Sequence, residues 1–271
     1  MTKPLFLIGC GKMGGAMLAG WIEGPFIDQG IYIVEPNEEA TRQFEKIPNL
    51  KIVRTASAIS ETIVPSVVIL AVKPQTMDET LPDLKRFVGK ETTFLSVAAG
   101  KTLGYFEKHL GEDAQVVRAM PNTPAAVMRG ITVYVPNANV AKQQSALCGE
   151  LLSSVGEAVL VGEEGLMDPV TAVSGSGPAY VFLLIEVMAK AGVKAGLPPD
   201  LAMRLARSTV SGSGELARLS EEAPSQLRIN VTSPGGTTAA ALDVLMAEKG
   251  MQSIFDEAIN AATIRSRELA G

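Results

Sequence analysis

"FLIGCGKMGGAML", residues 6–18, decides the fold of this chain. An apolar run ends in Gly9-x-Gly11-x-x-Gly14, and helix-patterned residues follow without a break. A strand that turns sharply into a helix uses these glycines for three purposes. The first allows the tight turn, the second lets the backbone approach a pyrophosphate, and the third lets the helix sit close to the sheet. Free amides at the start of that helix favour a negative charge. The stretch therefore predicts a strand, turn and helix at the head of a dinucleotide-binding sheet. Cys10 is a small filler inside the turn, with no redox role. Lys3 and the apolar run after it imitate a secretory signal ending at Cys10. Only five apolar residues precede Gly9, fewer than the roughly 7–15 of a signal core, so a buried first strand is expected.

Outward from this turn, short apolar runs recur at 4–8, 31–34, 51–53, 66–72, 93–97, 115–120, 131–135 and 157–162. Several are apolar throughout, as strands buried on both faces of a parallel sheet are. Helix-length segments separate most of them, which predicts a doubly wound βαβ sheet. "RAMPNTPAAVMRG" (118–130) is too rich in Pro, Asn and Thr for either element and reads as a long loop, where function concentrates. Beyond about residue 163 the strand signals stop, and 180–196, 198–219 and the stretch from Thr237 onward are helix-patterned. Pro199 or Asp200 starts the second of these. The expected fold is α/β: a Rossmann-type dinucleotide-binding domain over 1–163 and an all-helical domain over 164–271. Because 179–193 is apolar on most faces, it is the centre of the second domain or a dimer seam. It carries Glu186 and Lys190 and falls short of the ~20 residues of a membrane span, so a soluble protein is expected.

Composition narrows the partners. The chain has 24 Lys and Arg against 29 Asp and Glu, so no basic stripe suits a nucleic acid. Two cysteines make no disulfide framework, and a reducing cytoplasm is the expectation. One histidine, His109, without clustered cysteines, supplies no metal-ligand set, and its place at a helix end reads as a surface or capping role. With no Ser-His-Asp arrangement or carboxylate pair, the chemistry falls to a hydride-carrying cofactor. Glu35 stands 21 residues past Gly14. It reads either as the acceptor of an adenosine ribose 2′-OH, repelling a 2′-phosphate, or as a solvated glutamate at a helix start. "AVKPQ" (71–75) and "SVAAG" (96–100) end the fourth and fifth strands and should face the cofactor. Lys73 reads as a positioning or solvated group more readily than as a base.

"VTSPGGTTAAALDVL" (231–245) reads as a helix approached through Ser-Pro-Gly-Gly, with no Lys, Arg or His in the opening turn. First-turn amides carry partial positive charge, Gly235 and Gly236 clear the approach, and Ser233 adds a hydroxyl. The stretch is a receptor for a small carboxylate.

Together, "GCGKMG", "AVKPQ", "SVAAG", "RAMPNTPA", "AVSGSGPAYVFLLIEVMAKAGVKAGLP" and "NVTSPGGTT" resemble the pyrroline-5-carboxylate reductase family along essentially the whole chain. The resemblance implies reduction of the cyclic imine 1-pyrroline-5-carboxylate to L-proline with NADPH or NADH. It also implies a helical domain that dimerises, in many members assembled further as a pentamer of dimers. It places Gly9, Gly11, Lys12, Met13, Gly14, Ala71, Val72, Lys73, Pro74, Val97, Ala98 and Ala99 around the cofactor. Glu35 and Asn37 join them on the adenosine side, and Asn230 reaches in from the helical domain. Glu164, Ser233, Gly236, Thr237 and Thr238 hold the substrate, with Thr238 near the ring nitrogen. Residues 170–180 look like the family's start of the long dimerisation helix. Many members lack an acid at the position of Glu35, which leaves the coenzyme preference open. A cyclic imine arrives partly protonated, so the lack of a conspicuous acid fits this chemistry. Two other readings are a 3-hydroxyacid-dehydrogenase-like oxidoreductase, whose lysine would be Lys190, and a catalytically silent nucleotide-binding sensor.

Overall fold

The computed structural model describes residues 3–270. Its eight strands are β1 (Leu5–Ile8), β2 (Ile31–Val34), β3 (Leu50–Val53), β4 (Val67–Leu70), β5 (Thr93–Ser96), β6 (Gln115–Met120), β7 (Gly130–Pro136) and β8 (Gly156–Leu160). They form one sheet in the order β3-β2-β1-β4-β5-β6-β7-β8. Each expected apolar run is a strand, with ends shifted by at most two residues. Alternation explains why the runs are apolar throughout. On β1, Leu5 and Leu7 enter the core on one face while Phe6 and Ile8 enter the core on the other. Helix α1 (Lys12–Ile22) covers the first face, and Trp21 there is fully buried, its indole N–H donating to the Leu151 carbonyl at 2.9 Å. Helices α3 (Met77–Leu84) and α4 (Leu103–Leu110) cover the second. The short α2 (Glu38–Thr41) follows β2, and α5 (Lys142–Ser153) joins β7 to β8.

Two strands depart from the parallel expectation: β7 runs antiparallel to β6, with Val117 opposite Pro136 and Met120 opposite Val133, and β8 lies parallel to β7. The cause is the connection. Only residues 121–129 lie between the two strands, and a parallel crossover needs a dozen or more. The loop expected over 118–130 is correspondingly shorter. Arg118, Ala119 and Met120 complete β6, Thr123–Val127 form a 3₁₀ turn, and Gly130 opens β7. The Asn122 side chain accepts from the Ile131 amide at 2.9 Å and fixes the reversal.

Past the sheet the chain is helical: α6 (Met167–Val170), α7 (Gly177–Lys194), α8 (Pro199–Leu219), α9 (Pro224–Asn230), α10 (Thr237–Leu245) and α11 (Met251–Ala270). Helix α9 carries no expectation from the sequence. The helix-patterned stretch from Thr237 onward divides into two helices, because the chain turns at Gly250. A Cβ there would meet the Leu245 carbonyl oxygen at 2.3 Å. A π-helical turn over Thr171–Gly175 joins α6 to α7 and makes Glu164–Lys194 one helical run of 31 residues. By length and composition that run is long enough to cross a membrane, so the shortness expected of 179–193 does not hold.

The chain forms two compact units, one running to Gly175 and taking in residues from Ala262 onward, the other Ser176–Ala261. The first contains both hydrophobic clusters. In the second, the buried apolar side chains are alanines, Ala189, Ala202 and Ala206, while Phe182 is 59% and Leu183 56% exposed. A helical unit with its large apolar side chains outward has its core still to make, and such surfaces belong to interfaces.

Candidate functional site

In the first unit, the carboxyl ends of β1, β2 and β4 open into a cleft of ≈ 480 Å³. Gly9 has φ +93°, and a Cβ on it would lie 2.9 Å from the Ala71 carbonyl. A Cβ on Gly14 would meet the Gly9 carbonyl oxygen at 2.2 Å, so only glycine lets α1 start this close to β1. A Cβ on Gly11 would point into open space. Gly11 caps α1 with no side-chain hydrogen bond, which leaves the first-turn amides facing a surface without side chains. Such an arrangement receives a pyrophosphate.

Of the residues expected around a cofactor, Gly9, Gly11, Glu35, Ala71, Val72 and Lys73 line this cleft. Lys12 is exposed at the start of α1, whereas Met13 rests against the core. Pro74 opens a 3₁₀ turn next to the cleft residue Lys73. In the "SVAAG" loop, the Val97 amide donates to the Leu70 carbonyl at 3.1 Å and the Ala98 amide to Ser96 Oγ at 3.2 Å. Ala99 is exposed before Gly100, which has φ +75°. Glu35 is engaged on both oxygens: Oε2 accepts from the Cys10 amide at 2.8 Å and Oε1 from the Asn37 amide at 2.9 Å. Asn37 in turn caps α2, its side chain accepting from the Glu39 amide at 3.1 Å. Burial, and secondarily the Glu35 charge, push the Cys10 thiol up to about 11. Burial alone pushes Cys148 up to about 12. Both thiols therefore stay protonated at neutral pH and are poor nucleophiles.

Glu164 lies in the first unit. Its Oε1 accepts both from Arg118 Nη1 and from the Leu103 amide at the start of α4, each at 2.8 Å. The side chains are 6% exposed at Arg118 and 31% at Glu164. Arg118 stands opposite Ser96 across β5 and β6, so the ion pair braces the strand end from which the "SVAAG" loop leaves. The sequence marks Arg118 as the one charge inside the apolar run "QVVRAM", a position that demands a partner.

In the second unit, Gly235 has φ +69° and the Gly236 amide donates to the Ser233 carbonyl at 3.0 Å, a tight turn into α10. Gly236 is the N-cap, with no side-chain cap bond and no acidic residue in the first turn. Thr237 and Thr238 are the first two helical residues, exposed and half-buried respectively. The Asn230 side chain is tied within its own unit, donating to Glu222 Oε2 at 3.0 Å and accepting from Gln226 Nε2 at 2.8 Å. Lys190 is an exposed partner of Glu186 at 3.8 Å, one turn away on α7. His109 closes α4, its Nδ1 2.8 Å from the Tyr105 carbonyl.

Residues 164–269 match the family described as pyrroline-5-carboxylate reductase dimerisation, and residues 5–100 the family described as NADP oxidoreductase coenzyme F420-dependent. The pyrroline-5-carboxylate reductase of Synechocystis is 41% identical over 273 residues, covering 99% of each chain. The structure of the pyrroline-5-carboxylate reductase from Coxiella burnetii superposes with a TM-score of 0.91 at 33% identity, covering 100% of both chains. That of the Plasmodium falciparum pyrroline carboxylate reductase, with NADP bound, superposes with a TM-score of 0.80 at 29% identity, covering 99% of this chain and 98% of that one.

Proposed function

The chain belongs to the pyrroline-5-carboxylate reductase family, and from that premise we propose that it reduces 1-pyrroline-5-carboxylate to L-proline with NADPH or NADH. The observation that carries this reading is the pair of bare helix starts, α1 behind Gly11 and α10 behind Gly236, each without a side-chain cap. One suits a pyrophosphate and the other a small carboxylate. A reduced nicotinamide, when bound, supplies the hydride.

The protein's own residues bind, orient and exclude. The α1 amides hold the pyrophosphate, Glu35 and Asn37 meet the adenosine ribose, and Ala71 to Pro74 with Val97 to Ala99 line the coenzyme. Ser233, Gly236, Thr237 and Thr238 receive the substrate carboxylate and ring nitrogen. The iminium proton stays on nitrogen as hydride arrives at carbon, so the product amine forms without a strong protein acid. No cation is needed for the carboxylate, since the helix dipole contributes roughly 0.3–2 kcal/mol. A Lys or Arg there would repel the iminium. Glu164 keeps Oε1 on Arg118 and Leu103 and offers Oε2 to the cationic substrate. The functional division falls at 163/164, supported by the dimerisation family beginning at Glu164. The location is the cytoplasm. Consumption of NADH or NADPH only when 1-pyrroline-5-carboxylate is present, followed at the nicotinamide absorbance band, tests the activity. No turnover with either coenzyme would leave only a nucleotide-binding protein.

The chain is an oligomer, and its unit is a homodimer through 176–196. The outward Phe182 and Leu183 support this, since obligate interfaces are large and apolar. At low micromolar concentration, sedimentation should show nothing smaller than a dimer. An active, monodisperse monomer contradicts the assignment.

Glu35 should favour NADH. A hydrogen bond to the 2′-OH, or repulsion of a 2′-phosphate, is worth roughly 1–2 kcal/mol, about five- to thirtyfold. Glu35→Ser should move the ratio of kcat/KM values toward NADPH by that factor. If the wild type already prefers NADPH by more than about tenfold, Glu35 does not act on the ribose.

A further inference from the structure

Glu35 is not alone at the adenosine end of the cleft. Its amide donates to the Val53 carbonyl at 3.0 Å, so the next residue of β3's exit, Arg54, emerges beside it and lines the same cleft. The Arg54 guanidinium is paired with Glu38 Oε1 on the first residue of α2. The two side chains are 73% and 70% exposed, so packing fixes neither one. Charges lining the cleft are the cations Arg54 and Lys73 and the acids Glu35, Glu79 and Asp83. Because Arg54 is the cation that leaves its strand next to Glu35, it is the group placed to answer a phosphate on the ribose. A guanidinium binds phosphate through two parallel N–H bonds, and an arginine near this strand end is what accommodates a 2′-phosphate in dinucleotide folds.

We propose that Glu38 withholds Arg54 from the 2′-phosphate, making the Arg54–Glu38 pair a second determinant of coenzyme choice beside Glu35. The inference rests on the cleft's being the dinucleotide site. A phosphate dianion and the Glu38 carboxylate compete for one guanidinium, and Glu38 itself adds repulsion. An exposed pair is weak, so the competition tunes preference and does not abolish the use of either coenzyme.

Calorimetric titration with two half-ligands, 5′-AMP and 2′,5′-ADP, separates this from catalysis. Glu38→Gln should tighten 2′,5′-ADP by about three- to fivefold and leave 5′-AMP unchanged within about 1.5-fold. Arg54→Met should weaken 2′,5′-ADP and, combined with Glu38→Gln, cancel the gain. Unchanged 5′-AMP affinity shows that each variant keeps the folded cleft. The inference is overturned if Glu38→Gln moves both nucleotides equally or neither, or if its gain survives Arg54→Met. Failure of 5′-AMP to bind wild type and variants alike would remove the dinucleotide reading, and this inference with it.

Discussion

Thr238→Val should lower kcat/KM for 1-pyrroline-5-carboxylate by about 10–100-fold, with the fold intact by circular dichroism. Valine keeps the branched shape and deletes the hydroxyl. The helix loses no cap by this change, because α10 is capped by the Gly236 backbone without a side-chain bond. Any loss is therefore a loss of chemistry or orientation at the ring nitrogen. General acid–base groups typically contribute 10²–10⁴-fold, and a substrate that arrives protonated needs less, hence the lower range. Ser233→Ala should act mainly on substrate KM, as expected for a hydroxyl that binds the carboxylate throughout the reaction. Near-wild-type turnover of Thr238→Val would leave Thr238 a structural residue.

Glu164→Ala should destabilise the first unit by about 3 kcal/mol or more, the cost of stranding a buried charge by removing its partner. The stranded group is Arg118, whose side chain is 6% exposed. The Leu103 amide loses its acceptor in the same step. Replacing both members of such a pair by apolar residues is far milder than breaking it, so Arg118→Met/Glu164→Ala should regain part of the lost stability. Denaturant titration of the four proteins in the cycle measures this. A Glu164→Ala cost below about 1 kcal/mol, the range of exposed pairs, or a double variant as unstable as the sum of the singles, contradicts the assignment.

What the sequence makes legible divides along the range of the interactions. Gly9, Gly11 and Gly14 act through local backbone conformation and near neighbours, and their spacing places the turn, α1 and the cleft correctly. The sheet is legible for a similar reason: a strand covered on both faces must be apolar at every position, as β1 and β4 are. The direction of β7 is not, because it follows from the length of 121–129 and not from the composition of either strand. The break at Gly250 is hidden inside a helix-like period, and only the fold-back against Leu245 reveals why glycine is there. Pairing across the chain is hidden altogether. Arg118 with Glu164, 46 residues apart, and Arg54 with Glu38, 16 apart, meet through tertiary structure. For the same reason the two protein donors that Glu164 Oε1 receives, from Arg118 and the Leu103 amide, have no mark in the sequence.

The proposed reaction is direct hydride delivery to the imine carbon of a five-membered ring. Coenzyme deuterated at the transferring carbon of the nicotinamide, incubated with the protein and 1-pyrroline-5-carboxylate, tests it in one measurement. The expected product is L-proline carrying a single deuterium at the former imine carbon, detected by mass spectrometry. Proline without the label, or labelled coenzyme left unconsumed, would contradict it.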